Sequence, residues 1–267
     1  VDKVLTLKGR PLFYREEGSG LPVLLLHGFA EDGRIWDELI SGLGRHCRLL
    51  IPDLPGSGQS ALLPGEPSID ALADVIKEMV DGLGVERCVL IGHSMGGYVS
   101  LAFAEKYPDR LKAFGFFHST AYADSEEKRV ARRKSIEFIR QHGAAPFIRQ
   151  STPNLFAVET REQRSSMVED TIRRYSGFTP EALIYYYEAM IRRPDRVHVL
   201  RQFKGPVLFI MGAADLVVPY EQAMKQCHEP AISVIHTLDH SGHMGMLEEP
   251  ERGCEVIETF LTFLQSL

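Results

Sequence analysis

Short apolar runs that alternate with helix-spaced stretches constrain this chain more than any other feature of its sequence. VLLL at 23–26, CRLLI at 47–51, the run from Val85 to Ile91, LKAFGFF at 111–117 and PVLFIM at 206–211 have the length and composition of strands buried on both faces. Between them, Ile35 to Leu43, Ser68 to Leu83 with Ser68 as N-cap, and Tyr98 to Tyr107 ahead of Pro108 carry helical spacing. Strand, helix and strand repeated in this way predict a mostly parallel sheet with helices on both faces, an α/β architecture. Val4 to Leu7 and Leu12 to Tyr14, separated by Gly9 and Arg10, read as an antiparallel hairpin ahead of it. Tyr220 to Cys227 (helix), Ile232 to Ile235 (strand) and Glu251 to Leu267 (amphipathic helix) close the pattern.

The alternation breaks once, from Ser119 to Lys204. That segment has helical spacings (Ile136, Ile139; Ile184, Tyr187, Met190, Ile191) interrupted by Pro146, Pro153, Pro180 and Pro194, and reads as several helices inserted between two strands. It holds 16 Lys and Arg against 11 Asp and Glu, leaving 14 against 25 for the rest of the chain. A solvated helical surface accounts for this excess, and a bias toward anionic substrates is the sharper reading.

At the junction between the strand ending at Ile91 and the following helix lies Gly92-His93-Ser94-Met95-Gly96. This fits G-x-S-x-G, the tight turn that lifts a serine out at the end of a strand, where side chains at the glycine positions would collide with neighbouring backbone. A serine hydroxyl is a poor nucleophile unless a base takes its proton and an acid orients the base. Such groups collect at the carboxyl ends of the strands. Asp215 lies four residues beyond PVLFIM, and His243 follows the strand ISVI, so both fall on the edge that carries Ser94. The order Ser94, Asp215, His243 is the one expected of hydrolases with this turn. For a developing oxyanion, the N–H of Met95 and the N–H of Phe29, in the loop after VLLL, are the candidate donors.

LLLHGF at 24–29, DLPGSGQS at 53–60, GHSMGG at 92–97, MGAADLVVP at 211–219 and SGHMGMLEEPE at 241–251 together resemble the α/β-hydrolase superfamily. HSTAYADSEEKRVARRK after the sixth strand is similar to the cap entry of small esterases and enol-lactonase-like members. The resemblance implies an eight-stranded sheet, with core segments 1–118 and 205–267 and a cap at 119–204. Ser94 argues against haloalkane dehalogenases and epoxide hydrolases, which carry aspartate at that turn. Some members take their acid from the end of the sixth strand, where Asp124 is the nearest candidate. His240 competes with His243 but lacks the preceding glycine, His93 reads as structural, and Asp53 reads as a tether for the glycine-rich loop.

The expectation is a cofactor-independent serine esterase or lactonase with a small-molecule substrate, a monomer or homodimer. A carbon–carbon bond hydrolase and a slow-turnover ligand receptor are the alternatives. GSGQS lacks the lysine of a phosphate loop, and no clustered ligand set suggests a metal. Net charge of −6 gives no reason to expect nucleic acid, and no apolar run reaches membrane-spanning length. Cys47, Cys88, Cys227 and Cys254, unpaired by spacing, fit a reducing cytoplasm. No signal peptide is visible, and the start at Val1 leaves a removed leader open. Tyr185, Tyr186 and Tyr187, with Phe147, Phe156 and Phe178, are the aromatic candidates for lining a pocket.

Overall fold

A computed structural model describes residues 1–267. The strands are β1 (Asp2–Leu7), β2 (Arg10–Gly18), β3 (Pro22–Leu26), β4 (Arg48–Pro52), β5 (Cys88–His93), β6 (Leu111–Phe117), β7 (Val207–Gly212) and β8 (Ser233–Leu238). They form one sheet in the order β1-β2-β4-β3-β5-β6-β7-β8, antiparallel at β1/β2 and β2/β4 and parallel elsewhere. The hairpin turn is Lys8-Gly9, one residue earlier than the spacing indicates. Both residues have positive φ, 48° and 80°, as the tight two-residue turn between right-twisted strands requires.

Before β6 lie α1 (Asp37–Leu43), α2 (Ile69–Gly82) and α3 (Met95–Lys106). The expected helix from Ile35 is split, with a 3₁₀ turn at Gly33–Trp36 ahead of α1. Between β6 and β7 lie α4 (Glu126–His142), α5 (Ala144–Ser151), α6 (Val158–Gln163), α7 (Ser165–Tyr175), α8 (Pro180–Arg192) and α9 (Val197–Gln202). Then come α10 (Tyr220–Lys225), α11 (Gly245–Glu248) and α12 (Pro250–Gln265). Side-chain oxygens of Ser68, Ser125 and Thr179 cap the first turns of α2, α4 and α8 by accepting from the third N–H along.

Two apolar layers sandwich the sheet. Residues of α2, α3 and the α8 tyrosines fill one face, and α1 and α12 cover the other with Trp36, Phe117 and Phe260. The inserted helices contribute to both layers, with Tyr185 to Tyr187 in the first and Phe156, Val168 and Ile172 in the second. They have no separate core, which fixes them over the carboxyl edge of the sheet. β4 and β5 flank β3 on opposite sides, so the order in which strands are added reverses at β3, and a crevice opens there between the loops after β3 and β5. No helix is long and apolar enough to cross a membrane, and all four cysteines are free thiols.

Candidate active site

Ser94 ends the β5 turn at φ 49°, ψ −113°, a region costly for a residue with a Cβ. The glycines make the turn possible. A Cβ on Gly92 would lie 2.2 Å from the Gly96 carbonyl, and one on Gly96 would lie 2.4 Å from the Leu26 carbonyl oxygen. Hydrogen bonds then hold the strained residue in place: Ser94 N–H donates to Phe117 O at 3.0 Å, and Ser119 Oγ donates to Ser94 O at 2.7 Å. Ala30 and His118, beside the same crevice, also have positive φ, at 57° and 53°.

The structure brings Asp215 and His243 together. Asp215 Oδ1 accepts the N–H groups of Val217 and Val218 at 2.8 and 3.0 Å, which leaves Oδ2 to accept from His243 Nδ1 at 2.8 Å. That bond puts the imidazole proton on Nδ1. His243 Nε2 is buried and has no partner within the protein. It shares a cavity of about 170 Å³ with Ser94, Phe29 and Tyr187. Burial alone would raise the Asp215 carboxyl, but the His243 ring and then His118 outweigh it and hold it well below the usual carboxylate range.

The N–H groups of Phe29 and Met95 have no acceptor within the protein, and both residues sit at the β3/β5 switch point beside Ser94. Phe29 is fixed by its ring, which stacks on Tyr187 with centroids 4.2 Å apart. Tyr187 lines the cavity, while its neighbour Tyr186 docks on the loop after β4, its hydroxyl 2.7 Å from Ser57 Oγ and donating to Pro55 O at 2.7 Å. Phe147, Phe156 and Phe178 do not line the cavity: Phe147 packs edge-on behind Phe29 and Tyr187, and Phe156 is sealed in the α12-side core.

Asp124 is remote in its partners, held by Arg132 at 2.7 Å and Arg193 at 3.0 Å rather than by a histidine. His240 is exposed. Asp53 tethers the glycine-rich loop, accepting from Gly33 N at 2.9 Å and Gln59 N at 3.2 Å.

Four buried side chains complete the site. His93 Nε2 donates to His243 O at 2.8 Å and its Nδ1 contacts Glu31 Oε2 at 2.9 Å, while Gly28 N–H donates to the same carboxylate at 2.7 Å. Burial opposes charge on both partners, yet their mutual attraction wins: Glu31 is lowered and His93 raised, an ion pair joining the Phe29 loop to the His243 backbone. Glu248 accepts from Gly242 N and Ala157 N at 2.8 Å each, tying the His243 loop to the inserted helices. His118 Nε2 accepts from Gly245 N at 3.2 Å, so its proton is on Nδ1, 3.4 Å from Asp215 Oδ2. This contact is off-line, electrostatic rather than a full hydrogen bond.

The donor atoms of His118, Asp215 and His243 lie within 4.8 Å of one another, the spacing of a metal site. Their hydrogen bonds argue against that use, since a metal on His118 Nδ1 would force a proton onto Nε2, against the Gly245 N–H.

Burial depresses His118 to about 4. An unfolded histidine takes up its proton near pH ~6.5, so between there and about 4 the unfolded chain holds more protons. His118 therefore contributes stability that is present above pH ~6.5 and lost as pH falls toward its folded value. Asparagine tolerates the positive φ and does not titrate. Urea unfolding at pH 7 and pH 4.5 should show the wild-type advantage over His118→Asn shrinking by up to about 3 kcal/mol. A constant gap would mean that His118 is not held neutral.

An enzyme of the α/β-hydrolase type is what this sheet edge describes. Sequence comparison agrees: residues 23–256 match the Alpha/beta hydrolase family, and the chain belongs to it. The structure is similar to that of a thermophilic esterase from Thermogutta terrifontis, solved with malate bound, with TM-score 0.92 and 30% identity over 99% of both chains. An enol-lactonase from Burkholderia xenovorans shares the fold at TM-score 0.89 and 23% identity, over 97% of this chain and 100% of that one. A putative carbamate hydrolase RutD from Agrobacterium fabrum is 25% identical over 89% of this chain and 91% of that protein.

Proposed function

We propose that the protein is a cofactor-independent serine hydrolase that cleaves an ester or lactone of a small carboxylic acid through an acyl-enzyme on Ser94. The observation that carries this reading is the His243 imidazole, its proton directed to Asp215 and its bare, unpartnered Nε2 in the cavity that holds the strained Ser94. In the proposed reaction Nε2 takes the hydroxyl proton as Ser94 Oγ attacks the carbonyl carbon. The N–H groups of Phe29 and Met95 receive the negative charge that develops on the carbonyl oxygen. Collapse breaks the bond to the leaving oxygen, which takes the proton from His243. Water, deprotonated by the same nitrogen, then releases the acid and restores Ser94. The esterase and carbamate hydrolase among its relatives support an ester-type substrate.

The inserted helices would act as a cap, since Arg132, Leu155, Tyr175, Tyr187 and Met190 line the cavity from above Ser94. A volume of about 170 Å³ suits a short acyl group. Drug-sized sites enclose ~300 Å³ or more. Hydrolysis of p-nitrophenyl esters below micelle-forming concentrations tests the reading. The expected kcat/KM for butyrate exceeds that for palmitate by at least about 100-fold, the discrimination a pocket exerts over one or two surplus methylenes. Comparable values would make the protein a long-chain lipase, and no turnover of any ester would remove the esterase reading.

A further inference from the structure

We propose that Arg132 is a specificity residue that binds a carboxylate on the substrate, so that the preferred ester or lactone is an anion. The inference rests on the serine hydrolase reading for its chemistry and on a separate group of residues for its geometry.

Arg132 is the one lysine or arginine lining the cavity with Ser94. Its Nε donates to Asp124 Oδ2 at 2.7 Å and its Nη2 to Asp124 Oδ1 at 3.3 Å, while Nη1 has no acceptor within the protein. The Asp124 carboxylate does not cancel this charge, because it also serves Arg193, whose Nη2 lies 3.0 Å from Oδ1. Two guanidinium groups thus share one carboxylate. Arg193 is spent on structure: its side-chain nitrogens donate to Met190 O and Tyr122 O, and its plane lies on the Tyr98 ring, 3.8 Å from the centroid. The surplus charge falls to Arg132.

The carboxylate and histidine side chains lining the cavity are already matched. Glu31 is paired with His93, and the His243 ring donates to Asp215. Arg132 is also positioned as a recognition group would be. Its guanidinium lies 5.5 Å from the centre of the Tyr187 ring, which stacks on Phe29, and Tyr98 lines the same cavity with a hydroxyl that makes no hydrogen bond within the protein. Tyr98 lies one turn into α3, four residues beyond the Ser94 cap and about 6 Å further along the axis, and both residues line the cavity. An ester carbonyl at Ser94 and a carboxylate near Tyr98 and Arg132 would therefore be a few bonds apart in one small molecule. A mainly structural ion pair gains nothing from a second guanidinium and a free donor beside an apolar cavity, where an unmatched charge is costly. A carboxylate ligand satisfies that donor and balances the charge.

Monomethyl succinate and methyl butyrate differ only in replacing a terminal methyl by a carboxylate. Wild-type kcat/KM should favour monomethyl succinate by about 10–100-fold, the return on one or two charge-assisted hydrogen bonds, chiefly through KM. Arg132→Gln should bring the ratio to about one, and Arg132→Lys should restore part of it. A wild-type ratio of one or less overturns the proposal, as does an Arg132→Gln variant whose two rates fall together with the ratio unchanged. Calorimetric titration of Ser94→Ala with monomethyl succinate and with methyl butyrate separates this inference from the catalytic reading. Tighter monomethyl succinate binding that is lost in Ser94→Ala/Arg132→Gln supports the anion site even if no ester is hydrolysed. Equal binding overturns it even if Ser94 proves to be the nucleophile.

Discussion

Replacing Ser94 with alanine is expected to lower kcat for short esters by about 10⁶-fold, the loss that follows removal of the nucleophile from a serine–histidine–aspartate unit. It should also abolish fluorophosphonate labelling, which mass spectrometry of the wild type should map to Ser94. The turn should survive the change, because its geometry depends on Gly92 and Gly96 and on main-chain bonds at Ser94, none of which involves the hydroxyl. A purely structural effect is thereby separated from loss of chemistry. His243→Ala should cost about as much, and the double variant little more, since the two groups act in one step. A residual rate about 10³–10⁴-fold above water should persist in each, supplied by the Phe29 and Met95 amides. Labelling that persists in Ser94→Ala, or activity close to wild type, would place the nucleophile elsewhere.

The sheet was legible because each strand carries its own burial pattern, so β6 at Leu111–Phe117 follows directly from LKAFGFF. Val85 misled because apolar burial has more than one cause. It lies just past α2, where its N–H bonds to Val80 O at 2.8 Å and Gly84 turns the chain at φ 64°, so it is buried as a helix stop and β5 begins only at Cys88. That Ser94, Asp215 and His243 would meet at one edge was readable, because sheet topology sends strand ends there and the turn motif and chain order single them out. The placement of Glu31, His118 and Arg132 was not, since it depends on which side chains meet across separate parts of the chain. Glu31 meets His93 across 62 residues, and nothing near either residue signals the pair. The inserted helices follow no sheet register, so the choice among Phe147, Phe156, Phe178 and Tyr187 rests on packing that their spacing does not encode.

Asp215→Asn is expected to lower kcat by about 10⁴-fold while leaving the fold intact. The neighbouring main chain dictates the direction of the effect. The Val217 and Val218 N–H groups both point at Oδ1, so the asparagine carbonyl must occupy that position and its NH₂ must take the place of Oδ2. Two donors would then face each other at His243 Nδ1, and the ring escapes by moving its proton to Nε2. That tautomer has no lone pair to offer Ser94, although every heavy atom can remain in place. The His118 N–H, 3.4 Å from Oδ2, adds to the mismatch, because Gly245 holds His118 in its own tautomer. Asp124→Asn provides the contrast, since Asp124 serves Arg132 and Arg193 and not His243. On a neutral ester its kcat should fall far less, with the main damage in stability, because two buried guanidiniums lose their counter-charge. Steady-state kinetics on p-nitrophenyl butyrate, with circular dichroism to confirm folding, decides between them. Near-normal kcat in Asp215→Asn with a collapse of thousands-fold in folded Asp124→Asn would move the orienting acid to the segment after β6.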